Sequence, residues 1–144
     1  MNKLINTVLA TRAGFGITIL RVITGLTFAS HGSQKLFGLF GGYGLAGTGQ
    51  WMESIGITPG YLMALLAGSA EFFGGVALII GLLVRPAAVS LIVAMLVAIF
   101  AVHIGNGFFM ATNGFEYALI LATISAALLV EGAGRFSLDR KIAG

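Results

Sequence analysis

Tyr61-Leu62-Met63-Ala64-Leu65-Leu66-Ala67-Gly68-Ser69-Ala70-Glu71-Phe72-Phe73-Gly74-Gly75-Val76-Ala77-Leu78-Ile79-Ile80-Gly81-Leu82-Leu83-Val84 carries a single charge, Glu71, in 24 residues. A hydrocarbon core of ~30 Å is crossed by about 20 helical residues rising ~1.5 Å each, so this run is long enough to span a bilayer. Arg85 and Pro86 follow at once, and Pro86 to His103 is apolar again without a charge before the histidine. Pro86 suits the first helical position, where its missing N–H costs nothing. The tight Val84-Arg85-Pro86 link therefore predicts two membrane helices joined as an antiparallel hairpin.

Two further runs flank this pair. Ala13 to Phe37 is interrupted by Arg21, His31 and Lys35, and Tyr117 to Val130 lies between Glu116 and Glu131. The last run is 14 residues, or ~21 Å of helix, which is shorter than the hydrocarbon thickness. One of its bounding acids must then approach the membrane. Glu131 is followed by Gly132, Gly134 and Arg135 and reads as the wet end, which leaves Glu116 as the acid drawn inward.

The expected fold is all-α, an integral membrane four-helix bundle with helices at about 13–37, 61–84, 86–104 and 115–131 and a Gly-rich connection over 38–60. Residues 1–144 form one domain. Composition agrees: 58% of the residues are hydrophobic and 9% charged, too few charges to coat a water-soluble domain of this size, whose unburied surface must be largely polar. The bilayer is the implied partner. Met1 to Ala10 lacks an apolar run long enough for a signal-peptide core, so an uncleaved start is expected.

Eight Lys and Arg stand against five acids, and the basic residues sit at helix ends and form no block. They read as topology anchors, and no nucleic-acid partner is expected. Lys3 and Arg12 precede the first helix, Arg85 joins the second and third, and Arg135, Arg140 and Lys141 follow the fourth. Only Lys35 opposes that bias. Both termini are thus expected in the cytoplasm. The absence of cysteine rules out disulfides, Fe–S ligation and thiol chemistry by this chain itself.

Between the first two helices, eight of the 23 residues from Gly38 to Gly60 are glycine. Gly42 to Gly47 fits the letters G-x-G-x-x-G, yet the strand and alternating pattern of a dinucleotide fold are missing. A phosphate loop fails as well, because Gln50 and not Lys follows Gly49. The expectation is a segment folded over the bundle's outer end, with Thr48 to Ile55 a short interfacial helix and Trp51, Met52 and Ile55 on one face.

A charge inside the bilayer costs several kcal/mol, so each ionisable group there needs a partner or a wet cavity. Counting ~1.5 Å per residue from the basic anchors puts Arg21 ~14 Å and Glu71 ~21 Å from the cytoplasmic side. Those two are expected either as a structural ion pair tying the first two helices or as the lining of a ligand cavity. Glycines at 68, 74 and 75 allow close packing or room for a ligand. The same count brings His31, His103 and Glu116 to one outer level, ~27 to ~28 Å up. His31, Gln34 and Lys35 follow i, i+3, i+4 spacing, and His103 leads into Asn106. This cluster could be a hydrogen-bonded network at helix ends, a polar rim for the head of a lipid-soluble molecule such as a quinone, or an iron or zinc site on His31, His103 and Glu116. Phe37, Phe108, Phe109, Phe115 and Tyr117 are the nearby aromatics suited to a ring.

His31-Gly32-Ser33-Gln34-Lys35-Leu36-Phe37-Gly38, Phe40-Gly41-Gly42, Glu71-Phe72-Phe73-Gly74-Gly75, Gly81-Leu82-Leu83-Val84-Arg85, Asn106-Gly107-Phe108-Phe109, Gly114-Phe115-Glu116-Tyr117 and Gly132-Ala133-Gly134-Arg135-Phe136-Ser137-Leu138-Asp139 together resemble the DoxX family. The resemblance runs in order from about Arg21 to Arg140. It implies a small four-helix protein of the bacterial inner membrane, related to MauE, in a family whose name comes from a membrane subunit like that of thiosulfate:quinone oxidoreductase. Quinone as cofactor and redox proteins as partners are implied on that basis, with His31, Gln34, Lys35, Glu71, Asn106 and Glu116 on matching positions. Without cysteine, thiol chemistry would fall to a partner. The leading expectation is a quinone-associated redox component of a larger membrane assembly, with any catalysis that of a subunit of a quinone-linked oxidoreductase. The alternative is a non-enzymatic scaffold or a small-solute or lipid transport module, acting as a homo-oligomer through small residues on its helix faces.

Overall fold

The computed structural model describes residues 14–143. Lys3 and Arg12, read above as anchors, and the expected uncleaved start lie outside the described residues. Within them the chain is all-helical: α1 Phe15–Phe37, α2 Gly44–Ser54, α3 Gly60–Ile80, α4 Val84–Ala98, α5 Glu116–Glu131 and α6 Leu138–Ala143. After Ala98 the fourth helix widens into a π turn, Ile99–His103, and tightens into a 3₁₀ turn, Ile104–Asn106. A second 3₁₀ turn, Met110–Thr112, lies on the way to α5.

The helix ends follow backbone chemistry more than sequence punctuation. α1 stops where Gly38 turns left-handed and its N–H returns to Ser33, and α3 stops the same way at Gly81, φ 71°, a conformation that a Cβ opposes. The hairpin between α3 and α4 therefore turns at Gly81–Leu83, ahead of the expected Val84-Arg85-Pro86. Pro86 sits inside the first turn of α4, where N–H groups have no intrahelical acceptor in any case. The helix expected at the interface begins earlier than Thr48, at Gly44, and Met52 is buried while Trp51 and Ile55 stay exposed.

α1 packs antiparallel on α3, α3 on α4, and α4 on α5, while α2 lies against α3 and α1 meets α5 only sparsely. Glycines set the first of these contacts. A Cβ at Gly25 would come 2.7 Å from the Gly75 carbonyl oxygen, and one at Gly32 would collide with the backbone of Phe72. The remaining core is apolar, one cluster holding Phe28 of α1 together with Leu78, Ala88, Leu91, Met95, Leu121 and Leu128.

Polarity is arranged opposite to that of a water-soluble domain. Arg21, Glu71 and Ser125 are buried, while Ile23, Leu66, Phe73, Val93, Phe100 and Ile120 face outward. Small residues at interfaces and large apolar ones outside are what hydrocarbon as solvent selects. Among the described residues, two helices, Gly60–Ile80 and Val84–Asn106, are long and apolar enough to cross a bilayer. α5 has 16 residues, ~24 Å, and is short for a ~30 Å core. Of its bounding acids Glu116 is the more buried and Glu131 is exposed.

Candidate functional site

The two ends of the helices treat their charges differently. At the basic end, marked by Arg85 and Arg135, Arg21 is fully buried. Its guanidinium donates to the carbonyls of Leu78 and Ile79, at the last turn of α3, and to Phe136 O at 3.1 Å. The C-terminal carbonyls of a helix lack intrahelical donors and carry the negative end of the dipole, so a cation belongs there. Arg85 does the same for α5, with Nε on Leu129 O at 3.0 Å and a terminal nitrogen on Val130 O at 3.2 Å. Asp139 supplies the complement, its carboxylate accepting from the N–H groups of Leu83 and Val84 at 2.8 and 3.0 Å.

The expected Arg21–Glu71 ion pair is absent. Glu71 stands about two helical turns before the carbonyls that hold Arg21 on α3, and its carboxylate accepts instead from Lys35 Nζ at 2.6 Å. The contact of Gly25 with Gly75 and of Gly32 with Phe72 fixes the sliding register of α1 against α3. That register carries Arg21 to the α3–α4 turn, where a Cβ on Gly81 would lie 2.7 Å from its guanidinium.

At the other end, here the loop end, Lys35 and Glu71 border a cavity of ≈260 Å³ together with His31, His103, Phe28, Met95 and Tyr117. Each helix contributes for a local reason. On α1, Phe28, His31 and Lys35 recur at i, i+3 and i+7 and so share a face. On α4 the π turn contains His103, and such a turn adds a residue to the helix and re-aims the side chains that follow. The connection to α5 folds back on itself, Phe115 N–H reaching Gly107 O and Glu116 N–H reaching Phe108 O, which brings Met110 and Gly114 to the cavity wall.

His103 is oriented by this connection. Its Nδ1 lies 2.9 Å from the carbonyl oxygen of Asn113, and since a carbonyl only accepts, Nδ1 carries the hydrogen. The neutral ring then keeps Nε2 as its proton acceptor. His31 meets the ring of Tyr117 at 6.0 Å between centroids, tilted by 55°. Lys35 is partly exposed, at 25%, while Glu71 is buried, at 6%. Lys35 also borders a second cavity, ≈280 Å³, formed under the loop by Gln34, Gly41, Gly42, Tyr43, Thr48 and Trp51.

The sequence-derived candidates therefore divide. His31, Lys35, Glu71 and His103 converge on one cavity. Gln34 does not, because neighbours on a helix diverge by about 100°; it faces the loop and donates to Phe40 O. Asn106 donates to Asn113 O and Glu116 accepts from Met110 N–H, both holding the connection in shape. His31, His103 and Glu116 form no metal-binding trio among the described residues. Of the expected aromatics only Tyr117 reaches the cavity: Phe37 packs on Phe72, and Phe108 packs between Phe109 and Phe115. Phe28, Met110 and Gly114 were missed. The i, i+3 step from Phe28 to His31 marks the first, and the turn dipeptide Asn113-Gly114 marks the fold-back that delivers the others.

The DoxX family pattern matches residues 16–104, more than half of the chain. The chain belongs to the DoxX family. Motifs beyond residue 104 fall outside that match, but alignments with individual DoxX relatives extend further. A protein of Haemophilus influenzae is 34% identical over 87% of this chain and 89% of its own. CatD of Bacillus subtilis, whose name assigns it provisionally to the oxidoreductases, is 36% identical over 78% of each. The inner membrane protein YqjF of Escherichia coli is 32% identical over 87% of this chain and 90% of its own. No solved structure matches the chain.

Proposed function

We propose that this DoxX protein spans the bacterial inner membrane with α1, α3, α4 and α5, keeps both termini in the cytoplasm, and binds the head of a quinone in its loop-end cavity as one component of a larger redox assembly. One observation carries the reading: His31, Lys35, Glu71 and His103 converge with Tyr117 on a cavity of ≈260 Å³ between helices that are apolar on their outer faces. Arg85, Arg135, Arg140 and Lys141 gathered at the opposite end support the orientation. The names of CatD and YqjF support the redox and inner-membrane parts.

The lining fits such a ligand. Small-molecule sites start at about 300 Å³ and place a few polar groups in an apolar wall, so this cavity suits a single ring. Phe28, Met95, Ala98 and Leu121 supply apolar contact for it. Lys35 and His31 supply donors for carbonyl oxygens. His103, with Nδ1 committed to Asn113, can hold a proton at Nε2, and Lys35 with Glu71 can hold another. A bound quinone supplies the capacity to take up two electrons and two protons. The electrons come from a partner protein, and the sparse contact of α1 with α5 supports an isoprenoid tail passing between those two helices.

Purification from membranes in mild detergent tests the proposal, with copurifying quinone sought by absorbance and mass spectrometry. Quinone in the preparation, and a rise in melting temperature on adding more, is the expected outcome. No quinone and no shift would sink it. Crosslinking in native membranes addresses the assembly: a flavin- or haem-bearing partner supports the redox role, and self-association alone supports a scaffold or transport module.

A further inference from the structure

The basic end holds a second concave surface that the quinone reading does not use. Beyond α5 the chain is pinned rather than left as a tail. Thr18 Oγ1 donates to Arg135 O, Arg21 to Phe136 O, and Asp139 N–H to Gly81 O at 2.9 Å, while the Asp139 carboxylate holds the start of α4. Fixed in this way, Ile80, Phe136, Ser137, Leu138, Arg140 and Lys141 border a groove of ≈630 Å³.

The groove has two chemistries. Phe136, with φ 52°, takes a backbone conformation rare for a bulky residue and is 78% exposed. With Ile80 and Leu138 it makes an apolar side. Arg140 and Lys141 make the other; both are exposed, and among the described residues neither side chain has a hydrogen bond or ion pair. The groove lies where the membrane helices end, so its ligand is both apolar and anionic. We infer that it holds an anionic phospholipid, the phosphate against Arg140 and Lys141 and the upper acyl chains against Phe136, Leu138 and Ile80. Arginine's planar fork matches phosphate oxygens, and basic residues at a membrane surface select anionic lipid. Buried Arg21 and capping Asp139 then also act to keep this groove open.

Native mass spectrometry of the full chain in detergent tests this, with phosphatidylglycerol and phosphatidylcholine of equal acyl chains offered to the wild type and to the Arg140→Gln/Lys141→Gln variant. Both substitutions are at exposed positions, and unchanged helical circular dichroism checks the fold. Phosphatidylglycerol should be retained over phosphatidylcholine, and that preference should fall roughly tenfold or more in the variant. Equal retention of the two lipids, a variant that keeps the wild-type preference, or displacement of the lipid by inorganic phosphate would each overturn the inference. So would an acidic protein that copurifies with the wild type alone while neither lipid is preferred.

Discussion

Arg21 at the basic end and Glu71 near the loop end are both buried charges in apolar helices, and they are satisfied in different ways. Arg21 meets only backbone: the carbonyls of Leu78, Ile79 and Phe136. Glu71 meets another side chain, Lys35, and the pair faces a cavity. The first arrangement joins helix ends through both terminal nitrogens of the guanidinium, with only the buried Nε left without a partner. The second keeps two protonatable groups beside open space. A charge within a membrane helix is therefore diagnostic of a site only when it is not already committed to the unpaired groups of a helix terminus.

That contrast is most exposed to failure at Arg21. Replacing it in Arg21→Leu leaves three carbonyls without their donor, and the loss expected is about 3–5 kcal/mol. Unfolding followed by circular dichroism in detergent reads it directly. The folded fraction should still respond to quinone as the wild type does, because the cavity lies at the other end. An Arg21 variant of normal stability that fails to respond to quinone would reverse the assignment of the two ends.

The Lys35–Glu71 pair gives a smaller and asymmetric effect. In Lys35→Met a carboxylate buried to 6% exposure is orphaned, and the cost should be about 2–3 kcal/mol at neutral pH. In Glu71→Gln the orphan is a lysine that reaches water, so the cost should be about 1 kcal/mol. Melting temperatures of the two variants, measured side by side, check the order. Equal losses would mean that Lys35 is as enclosed as its partner.

Much of this was legible in the sequence, and what was not has a common cause. Run lengths identified the long helices because a bilayer imposes a length that apolar residues must fill. The rise per residue brought His31 and His103 to one level, and they do share a cavity. The partner of Glu71 was misread because the register between α1 and α3 depends on which glycines touch. Gly25 against Gly75 and Gly32 against Phe72 are tertiary contacts, and basic anchors at the membrane surface do not encode them. Met110 and Gly114 escaped for a similar reason: they reach the cavity only through the hydrogen bonds that fold residues 107–116 back on themselves.

Exchanging the pair, as Lys35→Glu with Glu71→Lys, tests most directly whether the loop-end charges serve a ligand. The exchange keeps an attraction between α1 and α3 but presents reversed charges to the cavity. The measurement is melting temperature with and without added quinone, on wild type, each single variant and the double variant. The double variant should recover most of the stability that the singles lose and show no quinone-dependent rise. A double variant that recovers both stability and the wild-type response to quinone would contradict the account, leaving Lys35 and Glu71 as a clamp between helices and nothing more.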